Sequence, residues 1–190
     1  MTAPEPSRDC PLCPRLASFR EENRQKFPGW HNAPVPGWGD PAPGLMIVGL
    51  APGLKGANRT GRPFTGDYAG DLLYATLLKF GLAAGDYRQD PLDGLELRGT
   101  MIANAVKCVP PQNKPTPGEI ATCRQFLIGT IEHHPPRAYL ALGRIAHESL
   151  LTALGERKSR FHFAHGAEHV LTGGATLFDS YHCSRYNTNT

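Results

Sequence analysis

The sequence predicts an α/β fold: a three-layer α/β/α sandwich around a central, mainly parallel four-stranded sheet. Three observations carry that reading. Four short runs, at 45–50, 100–106, 138–142 and 175–181, are apolar almost throughout, as strands covered on both faces are. Helical patterns fill the intervals between them, at 67–81, 117–133 and 144–154, and strands alternating with helices build parallel sheets. Three of the four runs open directly into unusual loops containing Pro, Gly, Cys or His; in such folds functional groups gather beyond the carboxyl ends of the strands.

The first run, Leu45-Met46-Ile47-Val48-Gly49-Leu50, leads into Ala51-Pro52-Gly53. The helical pattern after it is carried by Leu72, Leu73, Ala75, Thr76 and Leu77. Asp67 stands at its start, where an acidic side chain favours the positive end of the helix dipole. The second run, Thr100 to Val106, opens into Lys107-Cys108-Val109-Pro110-Pro111. The next helix has a chemically marked start: Thr116 as N-cap, Pro117 at the first helical position and Glu119 as the capping-box partner. That start puts Cys123 in the second turn, near the loop bearing Cys108. The third run, Ala138 to Leu142, precedes the 144–154 pattern. The segment from Phe161 to Gly174 holds three His and several Gly and reads as a hairpin or an irregular excursion. The fourth run, Ala175 to Tyr181, ends at His182-Cys183-Ser184.

At 190 residues and 40% hydrophobic composition, without repeats or an acidic tract, the chain fits one domain spanning 1–190. No stretch approaches the roughly 18 apolar residues of a membrane span. Met1 to Asp9 lacks a basic region followed by an apolar run, so a cytosolic chain with no membrane partner is expected. Twenty Lys and Arg against 17 Asp and Glu give a net charge of +3, too little to establish nucleic-acid binding without an argument from distribution. Basic residues gather at Lys55, Arg59 and Arg62 in a glycine-rich loop, at Lys107 and Lys114 around a proline run, and at Arg185. Ordinary solvated charge explains any one of them equally well.

Five cysteines in a cytosolic chain point to metal or catalysis more than to disulfides. Cys10 and Cys13 form a C-x2-C pair, and Cys108 and Cys123 stand 14 residues apart. Four thiolates so arranged suit tetrahedral zinc or a [4Fe–4S] cluster, and spacing does not choose between them. The pattern argues against a c-type haem, because Pro14, not His, follows Cys13. Cys183 beside His182 resembles a Cys/His pair on paper, but adjacent residues at a strand end point in opposite directions.

Three motifs occur in order: Gly49-Leu50-Ala51-Pro52-Gly53 with Asn58-Arg59-Thr60-Gly61-Arg62-Pro63-Phe64-Thr65-Gly66-Asp67, then Asn104-Ala105-Val106-Lys107-Cys108, then Ser180-Tyr181-His182-Cys183-Ser184. Together with the four cysteines, over about residues 10–190, this set resembles the iron–sulfur uracil-DNA glycosylases, in particular family 5, or type b. Leu50 carries the branch assignment, because family 4 has an acidic residue at that place. Two departures stand out: His-Cys-Ser replaces the family's His-Pro-Ser, and a further helix is expected where the chain stops.

The resemblance implies a [4Fe–4S] cluster on Cys10, Cys13, Cys108 and Cys123. It also implies excision of uracil, and of other deaminated bases, by hydrolysis of the N-glycosidic bond, acting as a cytoplasmic, nucleoid-associated monomer on DNA. A base inside duplex DNA must be flipped into a pocket before its glycosidic bond can be reached. Phe64 is the natural stacking platform, Asn104 the edge reader, and Gly49, Pro52 and Gly53 the adjoining wall. Cleavage leaves negative charge on the base and positive charge on the sugar. His182 suits the first as a hydrogen-bond donor, and Asp67 suits the second while orienting water. Lys55, Arg59 and Arg62 are candidate phosphate contacts; Ser184, Arg185 and Tyr186 occupy the place where the superfamily inserts a loop into DNA. The competing readings are a uracil-restricted, family 4-like enzyme and a non-catalytic metal-cluster protein that binds nucleic acid.

Overall fold

The structure, a computed structural model, describes residues 4–188. In chain order its elements are α1 (Pro14–Lys26), β1 (Trp38–Gly39), β2 (Leu45–Gly49), α2 (Ala57–Thr60), α3 (Tyr68–Lys79), β3 (Ala83–Ala84), β4 (Glu96–Leu97), β5 (Thr100–Asn104), α4 (Pro117–His133), β6 (Ala138–Leu142), α5 (Arg144–Ala153), β7 (Glu168–Val170), β8 (Thr176–Ser180) and α6 (Arg185–Thr188).

The main sheet runs β1-β5-β2-β6-β8-β7. Its centre, β5-β2-β6-β8, is parallel throughout and corresponds to the four predicted runs. The expected strand count is corrected to six: β1 and β7 pair antiparallel at the edges. At two and three residues they are too short to leave a periodic signal. The 161–174 segment supplies β7, the first arm of a hairpin with β8.

Both sheet faces are covered. Met46, Val48, Met101 and Tyr139 pack against Leu127 and Ile131 of α4 and Leu150 and Leu151 of α5. Ile47, Ile102 and Leu142 face the other way, onto Leu73, Tyr74 and Leu77 of α3. This is the alternation of a strand between two helical layers.

The helix starts follow their local chemistry. Thr116 and Glu119 form the reciprocal capping box, with Pro117 at the first helical position. Asp67 caps α3 by accepting the Gly70 N–H. The helix α1 was not anticipated. Cys13 occupies its N-cap position and Pro14 opens it, so the C-x2-C pair sits at a helix start. Arg15 on α1 makes a forked contact with Glu119, at 2.8 and 2.7 Å, which ties α1 to the start of α4.

Candidate active site and cysteine corner

Loops from the carboxyl ends of β2, β5 and β8 enclose a cavity of about 400 Å³, lined by Pro52, Gly53, Phe64, Asp67, Asn104, His182, Ser184 and Arg185 among others. Eight predicted site residues thus come together from four separate stretches of chain. Asn104, the last residue of β5, is 3% exposed. Its Oδ1 is buried with no hydrogen-bond partner. An acceptor left so costs about 1–3 kcal/mol, a penalty that a ligand N–H would remove.

Phe64 holds a left-handed backbone, φ 52°, a conformation that costs a non-glycine residue about 1–3 kcal/mol. The surrounding polar net holds it there. The Tyr87 hydroxyl donates to the Phe64 carbonyl at 3.3 Å. Arg62 donates to both carboxylate oxygens of Asp93 at 2.8 Å and to Thr65 Oγ1 at 2.7 Å. The expected phosphate contact by Arg62 is therefore corrected. The side chain is 4% exposed, its donors are engaged, and its guanidinium lies 5.0 Å from the Trp38 ring centroid. It braces the loop that presents Phe64. The paired guanidinium holds the Asp93 carboxyl well below the usual carboxylate range.

Gly49 does not line the cavity but lies beneath it. A Cβ there would stand 2.5 Å from Asn104 Oδ1 and 2.8 Å from Phe64 Cζ, so only glycine lets both approach. Asp67 serves two purposes. Its Oδ1 accepts the Gly70 N–H at 3.2 Å, while Oδ2 reaches toward Gly53, where a Cβ would meet it at 2.7 Å.

The His182 ring lies 5.8 Å from the Phe64 ring at an interplanar angle of 29°. Burial lowers its pKa, with the Asp67 charge opposing in part, so the imidazole is neutral at pH 7. Cys183 is buried on the other side, among the residues packed on α3, with its thiol pushed up to about 11 by burial; the pair does point apart.

Lys55 is exposed and is not among the residues lining the cavity; its carbonyl accepts from Arg59 Nε at 2.9 Å. Arg59 is half-buried and lines a separate groove with Trp30 and His31. The side chain of Tyr186 lies outside the described residues. Among the lining residues that escaped the sequence reading are Tyr68 and Asn113. Tyr68 carries Arg185 over its ring at 5.0 Å. Asn113 adopts φ 57°, a conformation that Asn tolerates and no motif announced.

Beyond the end of β5, Cys10, Cys13, Cys108 and Cys123 ring one small cavity. All are free thiols. Burial pushes Cys108 up to about 11 and Cys123 up to about 12. The Lys107 N–H points at Cys123 Sγ, at 3.3 Å, and Arg20 at Cys108 Sγ, at 3.8 Å. The Lys107 ammonium itself is fully buried against Glu5 at 3.1 Å, which corrects its place among the candidate basic surface residues.

A family model described as "Uracil DNA glycosylase superfamily" matches residues 36–190. The chain is 48% identical over 187 residues to the type-5 uracil-DNA glycosylase of Thermus thermophilus, covering 95% of this chain and 85% of that one. It is 41% identical to the type-5 uracil-DNA glycosylase of Pyrobaculum aerophilum, over 96% of this chain and 81% of the other. It is 44% identical to that of Mycobacterium tuberculosis, over 94% and 70%. The chain belongs to the uracil DNA glycosylase superfamily, on its type-5 branch.

Proposed function

We propose that this chain removes uracil from DNA by hydrolysing the N-glycosidic bond, that it accepts other deaminated bases, and that it does so as a cytoplasmic monomer. The observation that carries the reading is Asn104, which lines the cavity and keeps its Oδ1 buried without a partner. Uracil presents a ring N–H between two carbonyls. The carboxamide oxygen accepts that N–H while its NH2 donates to the neighbouring carbonyl, and Phe64 covers the ring face.

As the bond between C1′ and N1 breaks, its electron pair moves onto the base and spreads to the carbonyl oxygens. His182, neutral through burial, donates an N–H to this anion and keeps its proton. The Asp67 carboxylate opposes the positive charge on the sugar, orients a water toward C1′ and takes the proton that the water releases as the new C–O bond forms. Leu50 in the cavity wall offers no carboxylate for that task, which supports Asp67. Arg185 and Ser184 at the rim, with Lys55 and Arg59 further out, hold the flanking backbone.

Cys10, Cys13, Cys108 and Cys123 fit a [4Fe–4S] cluster. Four Zn–S bonds would draw every sulfur pair to about 3.8 Å. Among the described residues, however, the ligand set that closes within 4.8 Å is His147, His169 and Asp179, not these cysteines. A wider donor set suits a cluster. When bound, it supplies a covalent tie between the start of α1, the loop after β5 and α4.

Excision from defined duplexes tests the reading. Uracil release is expected, with measurable release of hypoxanthine. The Asn104→Ala variant should lose about 1–3 kcal/mol in uracil cleavage with little change in binding to abasic DNA. Equal losses on both ligands would make Asn104 structural.

A further inference from the structure

The end of β8 delivers side chains in two directions. His182 turns into the cavity, while Tyr181 turns out and is 55% exposed. The Tyr181 ring stacks on His165 at 4.9 Å with planes 14° apart, and Phe163 lies 6.2 Å away. His165 Nδ1 accepts the Tyr181 backbone N–H at 3.2 Å, so the ring hydrogen sits on Nε2, at the exposed edge. Arg144, the first residue of α5, rests its guanidinium 5.9 Å from the Phe163 ring centroid. The preceding Gly143 packs beside His182: a Cβ there would meet His182 Cβ at 3.8 Å. The aromatic cluster is thus continuous with the cavity wall.

The charge around it is mainly basic: Glu148, which shares a groove with Arg144, Lys158 and Phe163, is paired with Lys158 at 3.6 Å. Residues 157–165 contain Arg157, Lys158 and Arg160 and no carboxylate, and Asp179 beneath is buried against His147 and His169. Exposed rings ordered by mutual stacking, edged by cations, match a nucleic-acid strand: bases stack on ring faces and phosphates meet the charges. An apolar protein partner would offer no counter-charge to Arg144, Arg157 and Arg160.

We infer that Phe163, His165 and Tyr181, with Arg144, form a second DNA-contacting platform that holds one flank of the strand whose nucleotide enters the cavity. The inference rests on the proposed reading of that cavity. Within it, His165 also positions His182 by fixing the peptide N–H one residue before it.

The test measures binding of the holoprotein to duplexes centred on an abasic analogue, with either flank trimmed to the lesion. Tyr181→Ala should weaken binding to the full duplex about tenfold, and Tyr181→Phe should retain it. Trimming one particular flank should erase the difference between Tyr181→Ala and wild type. In the wild-type protein, modification of His165 by diethylpyrocarbonate should be slowed by the full duplex and not by the duplex lacking that flank. Wild-type binding by Tyr181→Ala, an equal loss on every duplex, or His165 labelling indifferent to DNA would overturn the platform. Failure of the parent reading appears elsewhere, as wild-type protein that releases no uracil.

Discussion

The cavity floor and the cysteine corner begin at the same strand, since Asn104 ends β5 and Cys108 follows in the loop beyond it, yet they bury polar groups in opposite ways. Around the floor the protein supplies its own partners: Arg62 with Asp93 and Thr65, Asp67 with the Gly70 N–H, Tyr87 with the Phe64 carbonyl. One acceptor, Asn104 Oδ1, is left over. At the corner the balance is reversed. Four thiols carry no disulfide, and Arg20 Nε is buried without a partner. A single orphan inside a satisfied net fits the transient ligand proposed for the cavity, whereas four free thiols around one small cavity fit the resident group proposed for the corner.

The largest effect should come from the corner. Cys108→Ser should remove visible absorbance, lower iron well below about four per chain, and destabilise α1 and the loop after β5 together. A colourless, active wild-type protein with one zinc per chain would reverse the assignment. Next comes the net under the floor. Arg62→Ala leaves the buried Asp93 carboxylate with the Arg88 and Leu95 backbone N–H groups but no counter-charge, and should reduce unfolding free energy by about 3–5 kcal/mol. Removing Asp93 as well should restore part of it. A loss below about 1 kcal/mol in denaturant unfolding would place Arg62 back among surface cations.

Smaller again is Asp67, whose two roles separate by choice of substitution. Asn caps a helix as well as Asp does but carries no charge. Asp67→Asn should therefore keep thermal stability and slow single-turnover cleavage about ten- to a thousandfold, whereas Asp67→Ala should lose both, with about 1 kcal/mol in stability. If Asp67→Asn cleaves at the wild-type rate, the carboxylate is a cap alone.

The sequence revealed most where chemistry and periodicity coincide. The central strands are continuous apolar runs, and Thr116-Pro117-Gly118-Glu119 announced the start of α4 because each residue there has one local purpose. That Asn104, Asp67 and His182 share one cavity was legible through their motifs. Arg62 was misread, because a guanidinium in a glycine-rich loop looks the same in sequence whether it meets phosphate or Asp93, 31 residues away. The helix α1 was missed since its mean hydropathy is low and its buried positions include Arg20 and Asn23. Its packing depends on the cysteine corner more than on an apolar stripe. Tyr68 and Asn113 reach the cavity through tertiary placement, which no local pattern encodes.

The smallest predicted effect concerns His182 and the sign of its titration. A free imidazole takes its proton near pH 6.5; burial moves that event lower in the folded chain, with the Asp67 charge pulling part of the way back. Between those two pH values the unfolded chain binds more protons than the folded one, so stability must decline as pH falls from about 6.5 toward the folded value. His182→Gln, which cannot titrate, should flatten that part of the thermal-stability profile without changing it above pH 7. Removing the Asp67 charge in Asp67→Asn takes away the opposing pull, and should shift the acid limb of the cleavage rate to still lower pH. With the neutral ring as the proposed donor, the wild-type rate should hold through pH 6.5 and fall only below it. Loss of His182 should slow poor leaving groups more than good ones, since they develop more charge for the donor to meet. A cleavage rate that rises as pH drops from 7 to 5.5 would mean that the imidazolium, not the imidazole, assists the departing base.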